Sequence, residues 1–302
     1  MFMDNMILAV RRYPRPMRAV IGGVMILVAC IHLGVEGLAL VRGNPLVERS
    51  LVAGLVAALA TALGTLPVLL AQRLSARTQD TLFGFGAGVM LSACAFSLVM
   101  PGLAAARESL IGAGAWSAGA VVGSAMLLGG LVLFGLERLL PHEHFIKGRE
   151  GASAQKLRRT WLFVIAITLH NLPEGIAIGI SQAGSEGVRA NALAIGIAIQ
   201  DLPEGLVVAS ALLAAGYRRR FAVLLGVLSG LVEPLGAVAA ALAISVSQSL
   251  LPWGLGLAAG AMLFVISHEI IPESHRKGHE AYATAGLMVG FVIMMLLDTA
   301  LA

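Results

Sequence analysis

Charge is scarce in this chain. Asp, Glu, Lys and Arg make up 13% of its 302 residues, about half the share found in soluble domains, which excludes an ordinary water-facing surface. Cysteine is scarcer still. Only Cys30 and Cys94 occur, so a disulfide framework and a cysteine zinc site are both ruled out by count. Polar segments are nearly absent as well, the one sizeable example being about 141–159, which leaves no room for a soluble domain. What remains is apolar. Hydrophobic residues reach 58%, and they gather in runs of about 20, the length that crosses ~30 Å of hydrocarbon.

These runs predict an all-α polytopic membrane protein with nine spans, at about 18–41, 50–72, 81–106, 114–136, 160–183, 190–214, 221–246, 250–271 and 281–300. Arg11, Arg12, Arg15 and Arg18 precede the first, as in a signal peptide, but its length and the lack of a small-residue cleavage site read as a retained span. Basic residues set the orientation, because cytoplasmic loops accumulate Lys and Arg. Of the 21 Lys and Arg, 17 fall on one side and only Arg42, Arg49, Arg107 and Arg189 on the other. The N-terminus is therefore expected in the cytoplasm and the C-terminus outside. The net charge of +4 is a topology signal and gives no reason to expect nucleic acid. No Lys or Arg is left for the membrane interior.

Acids do lie there. Two segments thirty residues apart, His170-Asn171-Leu172-Pro173-Glu174-Gly175 and Gln200-Asp201-Leu202-Pro203-Glu204-Gly205, sit inside spans. At 1.5 Å per residue, their polar side chains lie ~15 to 21 Å from a span end, with Glu233 at ~18 Å and Met90 at ~14 Å. All reach mid-membrane. Residues four apart share a helix face, so His170 points with Glu174 and Gln200 with Glu204, while Asn171 and Asp201 are turned towards a neighbouring second site. Pro173 and Pro203 are expected to free the carbonyls of Leu169 and Ile199 and kink both helices, a device that interrupted transporter helices use to build ion sites. Pro234 after Glu233 repeats it.

Charged groups at bilayer depth cost roughly 2.5 to 3.5 kcal/mol each, so four acids there need a partner. Glu174, Asp201, Glu204 and Glu233 sum to −4; two divalent cations would balance them, and protons are the other way to do so. Met90, imidazole and carboxylates together suit Zn²⁺, Cd²⁺ or Fe²⁺ better than Ca²⁺ or Mg²⁺. Several neighbours have plainer readings. Cys94, one turn after Met90, reads as a small buried residue, and His32 with Glu36 as a surface or interface pair. Most of the 36 glycines read as packing devices, as in Gly84, Gly88 and Gly226, Gly230.

The paired His-Asn-x-Pro-Glu-Gly and x-Asp-x-Pro-Glu-Gly motifs resemble those of the ZIP (Zrt/Irt-like) divalent metal transporters, particularly the bacterial branch. The resemblance covers about 50–302 and implies an eight-helix core at 49–302, with residues 1–48 an addition. It implies a binuclear site: Met90, His170, Glu174, Gln200 and Glu204 on one metal, and Asn171, Glu174, Gln200, Asp201, Glu204 and Glu233 on the other. Many family members carry His where this chain has the neutral amide of Gln200. A cytoplasmic exit is implied at Asp80, Glu137, His142, His144, His268, Glu269, Glu273 and His275, which the count of depth leaves unburied at inner span ends. The resemblance further implies alternating access, a homodimer and the inner membrane of a bacterium.

The expected function is import of a divalent transition metal into the cytoplasm, with zinc first and cadmium, iron and manganese as further candidates. The metal is cargo, and no cofactor is expected. A metalloprotease would need His-Glu-x-x-His, whereas His268-Glu269 runs on into Ile270, Ile271 and Pro272. A di-iron enzyme would need Glu-x-x-His in the spans, and none occurs. A proton-coupled carrier of an organic solute stands as the rival from another class.

Overall fold

A computed structural model of the chain describes residues 43–70, 75–109, 115–139, 152–184, 187–276 and 278–300. The first expected span, with Cys30, His32 and Glu36, lies outside them. So do His142, His144 and the side chain of Glu137. Contacts divide the chain into Met1–Pro45 and Leu46–Ala302, and the helices below belong to the second unit, Pro45 at the start of the first helix excepted.

Every regular element among the described residues is a helix, as lipid demands, since no water is present to satisfy an exposed strand edge. The order is α1 (Pro45–Thr65), α2 (Ala76–Ser109), α3 (Ala115–Leu139), α4 (Ala152–Gly184), α5 (Gly187–Ala214), α6 (Arg219–Val246), α7 (Gln248–Ser274) and α8 (Glu280–Ala300). Seven are long and apolar enough to cross a membrane; the eighth, α4, holds the first motif and packs against α6 and α7. Leu131 on α3 and Leu235 and Val246 on α6 are 65%, 70% and 86% exposed, large apolar side chains that a water-soluble surface seldom leaves so bare. They face lipid. Trp116, in the first turn of α3, is exposed at the level where aromatic residues mark a membrane interface.

Glycine sets how closely the helices meet. A Cβ on Gly84 would collide with the carbonyl of Ala283, and one on Gly88 with that of Leu287, so α2 and α8 run parallel in backbone contact. Gly129 and Gly260 do the same for α3 and α7. Gly175 and Gly179 do it for α4 and α6. With no hydrophobic drive between helices in lipid, such close contact supplies much of the association through dispersion. The bend between α5 and α6 rests on Gly216, whose φ of 96° few other residues adopt.

The prolines lie in two settings. Both α4 and α5 run as single helices through Pro173 and Pro203, where each ring lacks the N–H that would otherwise reach the carbonyl four residues back, that of Leu169 or Ile199. Interruptions fall elsewhere. In α6 the helix breaks at Leu231, ahead of Pro234. In α2 and α7, π-helical turns over Ala93–Val99 and Ile266–Ile270 come shortly before Pro101 and Pro272, the wider turn making room for the ring.

Candidate metal centre

The two motifs bring three carboxylates together. Glu174 from α4 and Asp201 and Glu204 from α5 each offer an oxygen within 4.8 Å of the others, and all three side chains are buried. Gln200 ties two of them. Its Nε2 donates to Glu174 Oε1 at 2.7 Å and to Asp201 Oδ1 at 2.7 Å, using both hydrogens of one amide. Expected as a ligand, Gln200 thus stands here as a donor to the acids.

The other oxygens have nothing to accept. Glu174 Oε2, Asp201 Oδ2 and Glu204 Oε1 are buried without a hydrogen-bond donor, and no Lys or Arg pairs with these acids among the described residues. Buried acceptors left unmade are costly, and a cluster of carboxylates with open oxygens is a donor set for a cation.

Glu233 stands beside them, held from two sides. Thr61 Oγ1 of α1 donates to its Oε1 at 3.1 Å, and Asn171 Nδ2 reaches the same oxygen at 3.3 Å and the Ser229 carbonyl at 3.1 Å. Its Oε2 is buried and unpartnered. The glycines of both motifs make this possible: Gly175 abuts the backbone of Glu233, and Gly205 the carbonyl of Thr61. Asn171, expected as a ligand, has its nitrogen engaged and only Oδ1 left open. Thr61 escaped the sequence reading because one threonine in an apolar helix carries no signal of its own.

His170 meets an acid from another helix. Its Nε2 lies 3.2 Å from Glu269 Oε2 on α7, so a residue expected on the exit side reaches the first motif. Both line a cavity of about 320 Å³ that also touches Gln200, Glu204, His268 and Glu273 and ends at the exposed Arg276. The cavity joins the carboxylate cluster to one end of the bundle. Arg276 meets Glu273 at 2.8 Å, and His268 stacks on Phe264 with ring centroids 5.1 Å apart. Met90 is buried one turn beyond Gly86 on the face of α2 that meets Gln200. Cys94 turns its Sγ to the Ala259 carbonyl at 3.7 Å.

At that end one residue differs from expectation in its burial. Asp80 is wholly buried rather than exposed, and its Oδ2 accepts from His279 Nδ1 at 2.9 Å. Depth counted along one helix misses the neighbour laid over it, here the parallel start of α8. His275 lies outside the cavity lining; its Nδ1 is 2.9 Å from both the Ile271 carbonyl and Ser274 Oγ.

Residues 142–298 match a family model described as ZIP Zinc transporter. The chain is similar to "Zinc transporter GufA" of Myxococcus xanthus, 49% identical over 251 residues that span 83% of this chain and 98% of that protein. It is similar to "Zinc transporter ZIPB" of Bordetella bronchiseptica, 50% identical over 280 residues, or 93% and 89% of the two. "Zinc transporter ZupT" of Chlorobium chlorochromatii is 33% identical over 260 residues, 80% of this chain and 93% of its own.

Proposed function

The chain belongs to the ZIP zinc transporter family, multi-pass proteins of membranes, and on that premise we propose that it moves zinc through the buried carboxylate cluster. The observation that carries this reading is the set of open oxygens on Glu174, Asp201 and Glu204, within 4.8 Å of one another and with no Lys or Arg against them among the described residues. A dication arriving there exchanges water for carboxylate. The gain is large, since a low-dielectric site strengthens each charge interaction and relieves the mutual repulsion of the acids. To bind, the ion competes with the Gln200 amide for Glu174 and Asp201.

Two adjoining metals are the fuller form of the proposal, one on Met90, His170, Glu174, Gln200 and Glu204, the other on Asn171, Glu174, Gln200, Asp201, Glu204 and Glu233. Cadmium, iron and manganese are further cargoes to be tested against zinc. The cavity past His268, Glu269 and Glu273 is the limb open to the cytoplasm, on the orientation that the loop arginines favour. Asp80, Glu137, His142, His144 and His275 belong to the same exit. Alternating access, a homodimer and a bacterial inner membrane complete the picture, with residues 1–48 as an added helix outside the eight-helix core and 141–159 as a cytoplasmic loop.

Uptake of radioactive zinc and cadmium into vesicles holding the purified chain tests the proposal. His170→Ala and Glu204→Ala should lose transport and bound metal together. Variants that transport as well as the parent overturn the site.

A further inference from the structure

Three helices converge on Thr61. Its carbonyl is packed against Gly205 of the second motif, its side chain lies on Gly230 of α6, and its hydroxyl reaches Glu233. The residue is completely buried. A hydroxyl has one hydrogen to give, and two acceptors compete for it: Glu233 Oε1 at 3.1 Å and the Ala57 carbonyl, one turn back, at 3.4 Å. The carboxylate is nearer, and it is the stronger acceptor when ionised.

We propose that Thr61 is a positioning residue for transport, fixing the Glu233 carboxylate so that one oxygen is held and the other is presented to the metal. The proposal rests on the reading of Glu233 as part of the transport site. Without the hydroxyl, the hydrogen bond to Oε1 that is left among the described residues is the longer one from Asn171, at 3.3 Å and with its nitrogen shared with the Ser229 carbonyl, and the Asp201 side chain is the other neighbour of the carboxylate. The carboxylate then loses its shorter anchor, and cargo must order it further on arrival. When metal draws charge from Glu233, the Thr61 proton has the Ala57 carbonyl to return to, so the hydroxyl is never stranded. An alanine or valine in its place offers no such exchange.

The test uses the full chain in proteoliposomes, comparing Thr61→Val, Thr61→Ser and Thr61→Ala for zinc uptake over a range of concentrations, beside equilibrium zinc binding in detergent. Thr61→Val should raise the half-saturating concentration ~10-fold or more, as expected for a lost hydrogen bond to a charged group, with a much smaller change in maximal rate. Thr61→Ser should restore it. If Thr61→Val does not fold, Ser against Ala carries the comparison, since both lack the methyl and differ only in the hydroxyl. In a Glu233→Ala background the substitutions should have no further effect. Equal behaviour of Ser and Ala, or the same loss with and without Glu233, overturns the assignment and leaves Thr61 as packing. A parent that transports zinc while Thr61→Val matches it sinks this inference alone; a parent that neither binds nor moves zinc sinks the transport reading with it.

Discussion

Gly175 lies directly against the backbone carbonyl of Glu233, so the first motif and the fourth acid are joined without a side chain between them. The motif glycine is therefore part of how the site is assembled.

Gly175→Ala tests that relationship. An added methyl forces α4 and α6 apart, at a cost of ~1–3 kcal/mol typical of overpacking. Zinc uptake should fall steeply while Gly187→Ala, at a glycine with open space around it, leaves both uptake and melting temperature near the parent values. Uptake and thermal melts of the two variants check it.

Removing one clustered charge should separate stability from binding. Glu204 is buried beside Glu174 and Asp201 with Oε1 unpartnered, so Glu204→Gln should melt at the same temperature as the metal-free parent or higher. Its response to zinc should vanish. A parent held at 100 times its dissociation constant gains ~2.7 kcal/mol; the variant should gain almost none in melts run with and without zinc.

His170 and Glu269 meet at 3.2 Å and should act as one unit. His170→Gln and Glu269→Gln are each expected to reduce uptake, and the double variant should be no worse than the weaker single one. Groups in direct contact couple by ~0.5–3 kcal/mol. Additive losses in such a cycle would mean that the contact has no part in transport.

His279→Ala should destabilise the bundle by ~1–3 kcal/mol, because it takes a hydrogen-bond donor from the buried Asp80. His279→Gln, which keeps a donor, should recover part of that. Thermal melting of both against the parent measures it.

Much of this was legible along the chain. Apolar runs mark the helices because the bilayer sets their length, and i,i+4 spacing puts polar residues of one motif on one face. The scarcity of basic residues inside the spans already implied that Glu174, Asp201, Glu204 and Glu233 need cations from elsewhere. What spacing cannot supply is the neighbour across a helix interface. That Gln200 gives its amide to Glu174 and Asp201, that His170 meets Glu269, that Asp80 lies under α8, and that Thr61 holds Glu233 all depend on which glycines let which backbones touch. The sequence by itself determined the membrane-crossing class and the negative centre, because hydropathy and charge are properties of residues one at a time. Only the tertiary structure decided the partners of each acid, because contact across helices is a property of pairs brought together by close packing.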